Sequence, residues 1–395
     1  MKRPDNSIPI YLDYNATTPC DTEVVEAMLP YFCEHFGNAA SISSRHGWKA
    51  HIAVDKAREQ LATLINAQSK EIFFTSGATE SNNLALRGIW QACRHKGNHI
   101  ISSTIEHPAT LNTLKALEAE GAQVTLLKPR SDGSLDMAEL AQSFTADTIL
   151  VCLMYANNEL GVINPVDEIA HLTTKHQVLF MSDATQALGK IGIDVQRCPV
   201  DILTCSAHKL YGPKGVGALY IRQKRGQRVV ELVPQITGGG GEEGIRAGTL
   251  NVPGIVGFGK AAELAKKSLE SERLRLQMLR DNFETELAQL AQIKINGIES
   301  PRLPHVSNVS FVGVDGTKLT QLLKKSLSVS SGSACSSSSL QPSHVLTAIG
   351  LTEDLIEATL RFSFGRPTTA DDITLALAEI SEGLRKLSVP QTINT

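Results

Sequence analysis

The 395-residue chain has seven cysteines but no C-x-x-C pair. The missing pair argues against a thiolate metal site, and the odd count argues against a closed disulfide framework. No apolar run approaches the ~18 residues that cross a bilayer. The start, Met1-Lys-Arg-Pro-Asp-Asn-Ser7, has no apolar secretory segment. Strong charge of either sign is also lacking: a formal net charge of −3 gives no reason to expect direct binding of nucleic acid or of an anionic membrane. There is no internal repeat. The expectation is a cytoplasmic protein.

What is present is ordinary in amount, with 42% hydrophobic and 20% charged residues, as in a soluble globular chain long enough for more than one domain. Short apolar runs alternate with amphipathic segments from about residue 21 to 255. Strands are expected at 71–75, 99–102, 124–127, 148–154, 178–181, 202–204 and 216–221, and helices at 81–93, 109–119, 136–143 and 166–175. Such alternation predicts an α/β fold: a large, mostly parallel sheet with helices on both faces. A long helical pattern over 256–291 leads to a second region, with strands near 305–311 and 358–363 and helices near 318–325 and 370–386. The expected division is a large domain over 18–258 and a smaller α+β domain built from 1–17 and 259–395.

Ligands of open α/β sheets collect beyond the carboxyl ends of the strands, and the most informative residues lie there. Lys209 closes Ser206-Ala-His208-Lys209 at the end of the apolar run Val200–Cys205. Asp183 opens Asp183-Ala-Thr-Gln186 at the end of another. Either residue alone suits a strand cap facing water. Together they suit pyridoxal 5'-phosphate, which needs a lysine for its Schiff base and a carboxylate to keep its pyridine nitrogen protonated. Thr75-Ser-Gly-Ala78-Thr79-Glu80 ends a strand and opens a helix, an anion-binding arrangement for the phosphate. Ser206 and His208 are further phosphate candidates. His107 could stack on the ring and move protons, or merely cap a helix. Asn157 and Gln186 could reach the ring oxygen. Arg361, in an apolar strand, needs a partner: a substrate carboxylate or a structural acid. Four consecutive glycines, Gly238–Gly241, mark irregular backbone before Arg246-Ala-Gly-Thr249.

Most cysteines sit in apolar surroundings, such as Cys152 in Ile149-Leu-Val-Cys-Leu-Met154, where cysteine acts as a small core hydrophobe. Cys335 differs. It lies in the serine-rich stretch 326–339, which reads as a linker, yet a thiol on a mobile polar loop can serve as a nucleophile. With an unperturbed pKa of ~8.5, only a few per cent would be thiolate at neutral pH, so a base in the site would matter.

The blocks Tyr11-Leu-Asp-Tyr-Asn-Ala-Thr-Thr-Pro19, Thr75–Glu80, Glu106-His107, Asn157-Asn-Glu-Leu-Gly161, Asp183–Gln186, Ser206–Lys209, Arg246–Thr249, Ser331-Gly-Ser-Ala-Cys335 and Arg361-Phe-Ser363 occur in order along nearly the whole chain. In this the sequence resembles the pyridoxal-phosphate cysteine desulfurases of the NifS/IscS type, within the class V aminotransferases. The resemblance implies a fold type I transferase and conversion of L-cysteine to L-alanine, with sulfur held on Cys335 as a persulfide. It implies that Lys209 carries the Schiff base, that Asp183 pairs with the pyridinium and that His107 stacks on the ring. Ala78, Thr79, Ser206 and His208 would hold the phosphate, with Thr249 reaching over from the second subunit of a homodimer. Asn157 and Gln186 would address the ring oxygen, and Arg361, Asn157 and Asn38 the substrate. The serine-rich loop, about 326–340, looks like that of the long-loop group.

Two departures stand out: Gly37-Asn38-Ala39 where many members read Gly-Asn-Pro, and a tail, Leu387–Thr395, without the longer aromatic end that docks a cluster scaffold. The sulfur acceptor is left open between an iron–sulfur scaffold and a thiolation enzyme for tRNA or DNA modification. A class V aminotransferase or a selenocysteine/cysteine lyase would share the cofactor residues without needing Cys335. A non-enzymatic sulfur relay would need none of them.

Overall fold

The computed structural model describes residues 9–332 and 342–388. Its central sheet has seven strands in the order Ile72–Thr75, Gly217–Ile221, Ile202–Ser206, Leu179–Asp183, Thr148–Cys152, His99–Ser103, Gln123–Leu127. Gly217–Ile221 runs antiparallel to both of its neighbours, and the remaining pairs are parallel. Five of the strands are buried at every position, including 148–152 and 202–206. Such unbroken burial requires cover on both faces, and the chain supplies it. Alternate residues feed two cores: Ile101, Val151, Phe180 and Leu203 point to one, Ile100, Leu150, Met181 and Ile202 to the other.

One of these faces is covered by helices Arg45–Leu64 and Val252–Leu290, the other by Ala78–Cys93 and Pro108–Ala119. Arg45–Leu64 is absent from the sequence reading, for a physical reason. Its buried face is Gly47, Ala50, Ala53, Val54, Ala57, Leu61, Ala62 and Leu64, mostly small residues that make a weak apolar stripe. Small residues instead permit close helix packing: a Cβ on Gly259 of the partner helix would lie 2.5 Å from Ala57 Cα. The 252–290 helix begins four residues before the expected 256, because the Asn251 side chain caps Gly254 N–H and Pro253 occupies the first turn.

A second sheet runs Ile293–Ile295, Val306–Phe311, Thr359–Ser363, Ser330–Ser331, all antiparallel. Its core gathers Phe311, Phe362, Phe364 and Ile380 with Ile10 and Leu12 from the start of the chain and Phe283 and Leu287 from the long helix. Ile10–Tyr11 pairs in parallel with Leu327–Ser328. The N-terminal arm thereby passes between the second sheet and the carboxyl edge of the first. Among the described residues, no helix is long and apolar enough to cross a membrane.

Candidate active site

A cavity of about 980 Å³ opens at the carboxyl edge of the large sheet. Its floor comes from adjacent strands that place Asp183 opposite Thr204. Asp183 is buried, and both carboxylate oxygens are held: Oδ2 accepts from Asn82 Nδ2 at 2.8 Å and Oδ1 from Thr185 N at 2.9 Å. Asn82 is itself fixed by Thr204, whose Oγ1 donates to its Oδ1 at 2.5 Å. The acid is thus aimed by secondary contacts and not by chance rotamer preference.

Lys209 ends the short 3₁₀ turn Ala207–Lys209 that follows the 202–206 strand. Its Nζ donates to the backbone carbonyls of Asn15 and, at 2.7 Å, Ala16. Burial pushes its pKa down from 10.5 to about 8, helped by the Arg361 guanidinium and opposed by Asp13 and Asp183. Neither carbonyl carries a charge that would hold the proton. At neutral pH roughly a tenth of such an amine is unprotonated, against less than a thousandth for an ordinary lysine. Asn15 is a hub: its carbonyl also accepts from Gln186 Nε2 at 3.1 Å, and its side chain ties Asn158 O and His305 Nε2, each at 2.9 Å.

An anion cradle borders this floor. The 16-residue helix Ala78–Cys93 directs its first N–H groups at the cavity, and Ser76, Thr79, Ser206 and His208 line the same end. The turn sits tightly against the sheet, since a Cβ on Gly217 would come within 2.5 Å of Gly77 Cα. His208 is uncharged at neutral pH: burial, then Lys209 and Lys214, push its pKa to about 4. Glu80 would repel an anion here, but Arg246 Nε pairs with its Oε1 at 2.9 Å. Burial works against the Glu80 charge, and hydrogen bonds from Arg246 and Ser76 outweigh it, holding the carboxyl below its ordinary value.

The walls come from loops and from the second sheet. His107 both caps a helix and lines the cavity: its Nδ1 accepts from Ala109 N at 3.1 Å, so the neutral ring carries its proton on Nε2. Its pKa is lowered, first by the surrounding protein and then by Lys209 and His344, with Asp183 opposing. Beneath it Glu106 is fully buried, with Oε1 accepting from Ser103 Oγ and Met154 N, both at 2.9 Å. Burial pushes its pKa up to about 8. Arg361 lines the cavity and has found an acid: Nη2 donates to Asp13 Oδ1 at 2.6 Å and to Ser330 Oγ at 2.7 Å, while Nη1 donates to Asn158 O at 3.0 Å. The structural salt bridge open to it in the sequence is therefore formed, at the cavity wall itself.

The structure gathers Lys209, Asp183, His107, Ala78, Thr79, Gln186, Ser206, His208 and Arg361 around one cavity. It does not bring Asn157, Asn38 or Thr249 to it. Asn157 is buried with its amide spent on its own loop: Nδ2 donates to Ile105 O at 3.0 Å and to Met154 Sδ at 3.5 Å, and Oδ1 accepts from Glu159 N and Leu160 N, both at 2.9 Å. Without a ligand, Asn157 is thus held within its own loop, beside the cavity-lining Asn158. Asn38 is exposed on the loop before the 45–64 helix, its Oδ1 accepting from Ala40 N at 3.0 Å. Thr249 is exposed and lines nothing in its own chain's cavity. Cys335 lies outside the described residues. Sequence reasoning gave no role to Asp13, Asn15 or His344, although the first two sit in the quoted Tyr11–Pro19 block.

Comparison with known proteins adds family to geometry. The family model described as Aminotransferase class-V matches residues 10–375. A protein named cysteine desulfurase IscS from Anaeromyxobacter sp. (strain Fw109-5) is 50% identical over 381 residues, covering 96% of this chain and 93% of that protein. Among solved structures, a NifS-like protein superposes with a TM-score of 0.89 at 36% identity, covering 96% of this chain and all of that one. A structure described as SspA in complex with cysteine gives 0.80 at 37% identity, covering 90% of this chain and 98% of that one.

Proposed function

This chain belongs to the class-V aminotransferase family and its reaction is that of a cysteine desulfurase, L-cysteine to L-alanine with transfer of the sulfur; from that premise we propose how its own residues perform it. The observation that carries the reading is the cavity floor, where an amine with a depressed pKa and a fixed carboxylate share one pocket with a helix N-terminus.

Those residues fit pyridoxal 5'-phosphate. Lys209 would attach its aldehyde carbon, Asp183 would accept from the pyridine N–H, and Ala78, Thr79, Ser206 and His208 would hold the phosphate. Gln186 has one Nε2 hydrogen beyond its bond to Asn15 O for the ring oxygen. His107 would lie against the ring face. Bound there, the group supplies an electron sink for cleavage of the substrate. The protein supplies the rest. Asp183 stays aligned through Asn82 and Thr185 and cannot swing away. Arg361 offers the substrate carboxylate a cation already oriented by Asp13, and an incoming carboxylate would compete with that acid. Glu106, mostly uncharged at neutral pH, spares the site a second carboxylate beneath His107.

Cys335 is proposed as the thiol that receives the sulfur. Supporting this, Gly332 and Pro342, which flank its segment, both line the cavity, and Ser343 N donates to Gly332 O at 2.9 Å. We further propose a homodimer in which Thr249 completes the partner's phosphate site. Its support is an exposed threonine that serves no cavity of its own chain, together with the exposed apolar Phe32, Phe36 and Trp48. The proposed division at 18–258 against 1–17 and 259–395 rests on the separate cores of the two sheets. The acceptor would be an iron–sulfur scaffold or a thiolation enzyme. Product analysis with L-cysteine tests the activity: equal amounts of alanine and, with a reductant present, sulfide are expected. Pyruvate and ammonia, or no product, would overturn it.

A further inference from the structure

Asn15 joins the two sheets beside Lys209, and a buried histidine fixes how it stands. Its backbone N donates to Ser363 Oγ of the second sheet at 2.9 Å, while its carbonyl accepts from Gln186 Nε2 and Lys209 Nζ. The orientation of its side chain follows from its partners. Asn158 O can only accept, so the atom 2.9 Å from it is Nδ2, which leaves Oδ1 facing His305 Nε2 at 2.9 Å. Oδ1 can also only accept, so Nε2 carries a hydrogen. His305 is fully buried just before strand Val306–Phe311, with its carbonyl accepting from Phe364 N at 2.9 Å. Its Nδ1 has no partner among the described residues. A proton there would be a buried donor without an acceptor. Burial, and then the fields of Lys190, Arg280 and Arg361, hold the ring's pKa well below its ordinary value. The ring is therefore neutral, with its one N–H given to Asn15.

We propose that His305 is a positioning residue for Lys209, acting through Asn15. The inference rests on the desulfurase reading and adds a residue to it. An unprotonated amine has two hydrogens and one lone pair. Lys209 Nζ meets two carbonyl acceptors, Asn15 O and Ala16 O. When each takes one hydrogen, the lone pair is left in a single direction, away from both. A lysine on its flexible four-carbon stem holds no such direction without partners of this kind. Asn15 O serves only while its residue is held, and the bond from His305 holds it. The second sheet, through His305 and Ser363, thereby sets the geometry of an amine that arrives on the first. The charged groups that act on Lys209 are Arg361, Asp13 and Asp183. His305, being neutral, acts by position.

Two substitutions separate positioning from mere packing. His305→Phe keeps a flat buried ring but has no N–H, whereas His305→Gln brings an amide N–H to the place of Nε2. With Phe, kcat for alanine formation is expected to fall about 10- to 100-fold, the scale for a displaced reacting group, with KM for L-cysteine within about threefold. With Gln, which restores the donor, kcat should stay within about threefold of wild type. A second readout needs no turnover. In cofactor-free protein the pH midpoint for reductive methylation of Lys209, near 8 in wild type, should drop in the Phe variant and hold in the Gln variant. The drop follows because a loosened Asn15 carbonyl no longer favours the ammonium. Long-range proton–nitrogen spectra of the cofactor-free wild type, labelled with nitrogen-15 at histidine, should show His305 neutral with its proton on Nε2. Wild-type kcat or an unmoved midpoint in His305→Phe, a Gln variant as impaired as the Phe variant, or a proton on Nδ1 would overturn the proposal. If the Phe variant does not fold, the Gln variant and the spectrum decide. A wild-type protein that makes no alanine would count against the desulfurase reading alone, and the midpoints would then judge His305.

Discussion

The floor and the walls of the cavity are built by different means. Asp183 and Lys209 arrive on neighbouring strands whose register is fixed by fully buried side chains. Arg361, His344 and the ends of the Cys335 segment come from the second sheet and its loops, joined to the first by the N-terminal arm and one long helix. The floor can be rigid because every residue beneath it is packed. The walls depend on polar contacts, Asp13 to Arg361 and Ser343 to Glu159 among them. Cofactor chemistry suits the first construction, and exchange of substrate and sulfur suits the second.

Breaking the floor should cost most. Lys209→Ala is expected to lower alanine formation by at least roughly 10⁴-fold, a fraction of the total acceleration an enzyme supplies. Borohydride treatment of the wild-type holoprotein should leave pyridoxal phosphate on the Lys209 peptide in mass spectra. Label on any other lysine would contradict the floor as described.

Changing the wall should act through binding and through the floor at once. Arg361→Gln removes a cation that lowers the Lys209 pKa. It also leaves Asp13, which raises that pKa, without its partner. Both effects have the same sign. The pH midpoint for reductive methylation of Lys209 in the cofactor-free protein should therefore lie near 8 in wild type and higher in the variant. KM for L-cysteine should rise roughly 10- to 100-fold if a charge-assisted bond to the carboxylate is lost. A midpoint that stays put would show that the two groups are electrostatically separate.

The smallest catalytic effect is expected at Asn157, which belongs to neither surface. Asn157→Ala strands Ile105 O and two backbone N–H groups, for a loss of about 1–3 kcal/mol of stability in denaturant titrations, while KM stays within about threefold. A large rise in KM at unchanged stability would assign Asn157 to ligand contact and not to its loop.

The floor was legible in the sequence because strand ends carry one-dimensional information: an apolar run stops and a charged residue follows. Lys209 and Asp183 could be read that way, and so could the turn that opens the 78–93 helix. The walls could not. Whether Arg361 meets an acid depends on Asp13, far away in the chain, and whether Asn157 faces a ligand depends on backbone groups that only the folded loop presents. His344 looked like any polar residue after a serine run, and its contact with the Glu106 carbonyl joins it to a loop far away in the chain. The 45–64 helix escaped notice because alanines do not announce a buried face.

The central claim is that a cofactor held by the floor would store the reaction's electrons while the Cys335 thiol takes the sulfur. Single-turnover alanine release from holoprotein carrying Cys335→Ser tests it most directly, with visible spectra recorded in parallel. The variant should keep its cofactor and still change spectrum on adding L-cysteine, yet release almost no alanine. Alanine at the wild-type rate would contradict the persulfide route and favour a lyase that needs no thiol of its own.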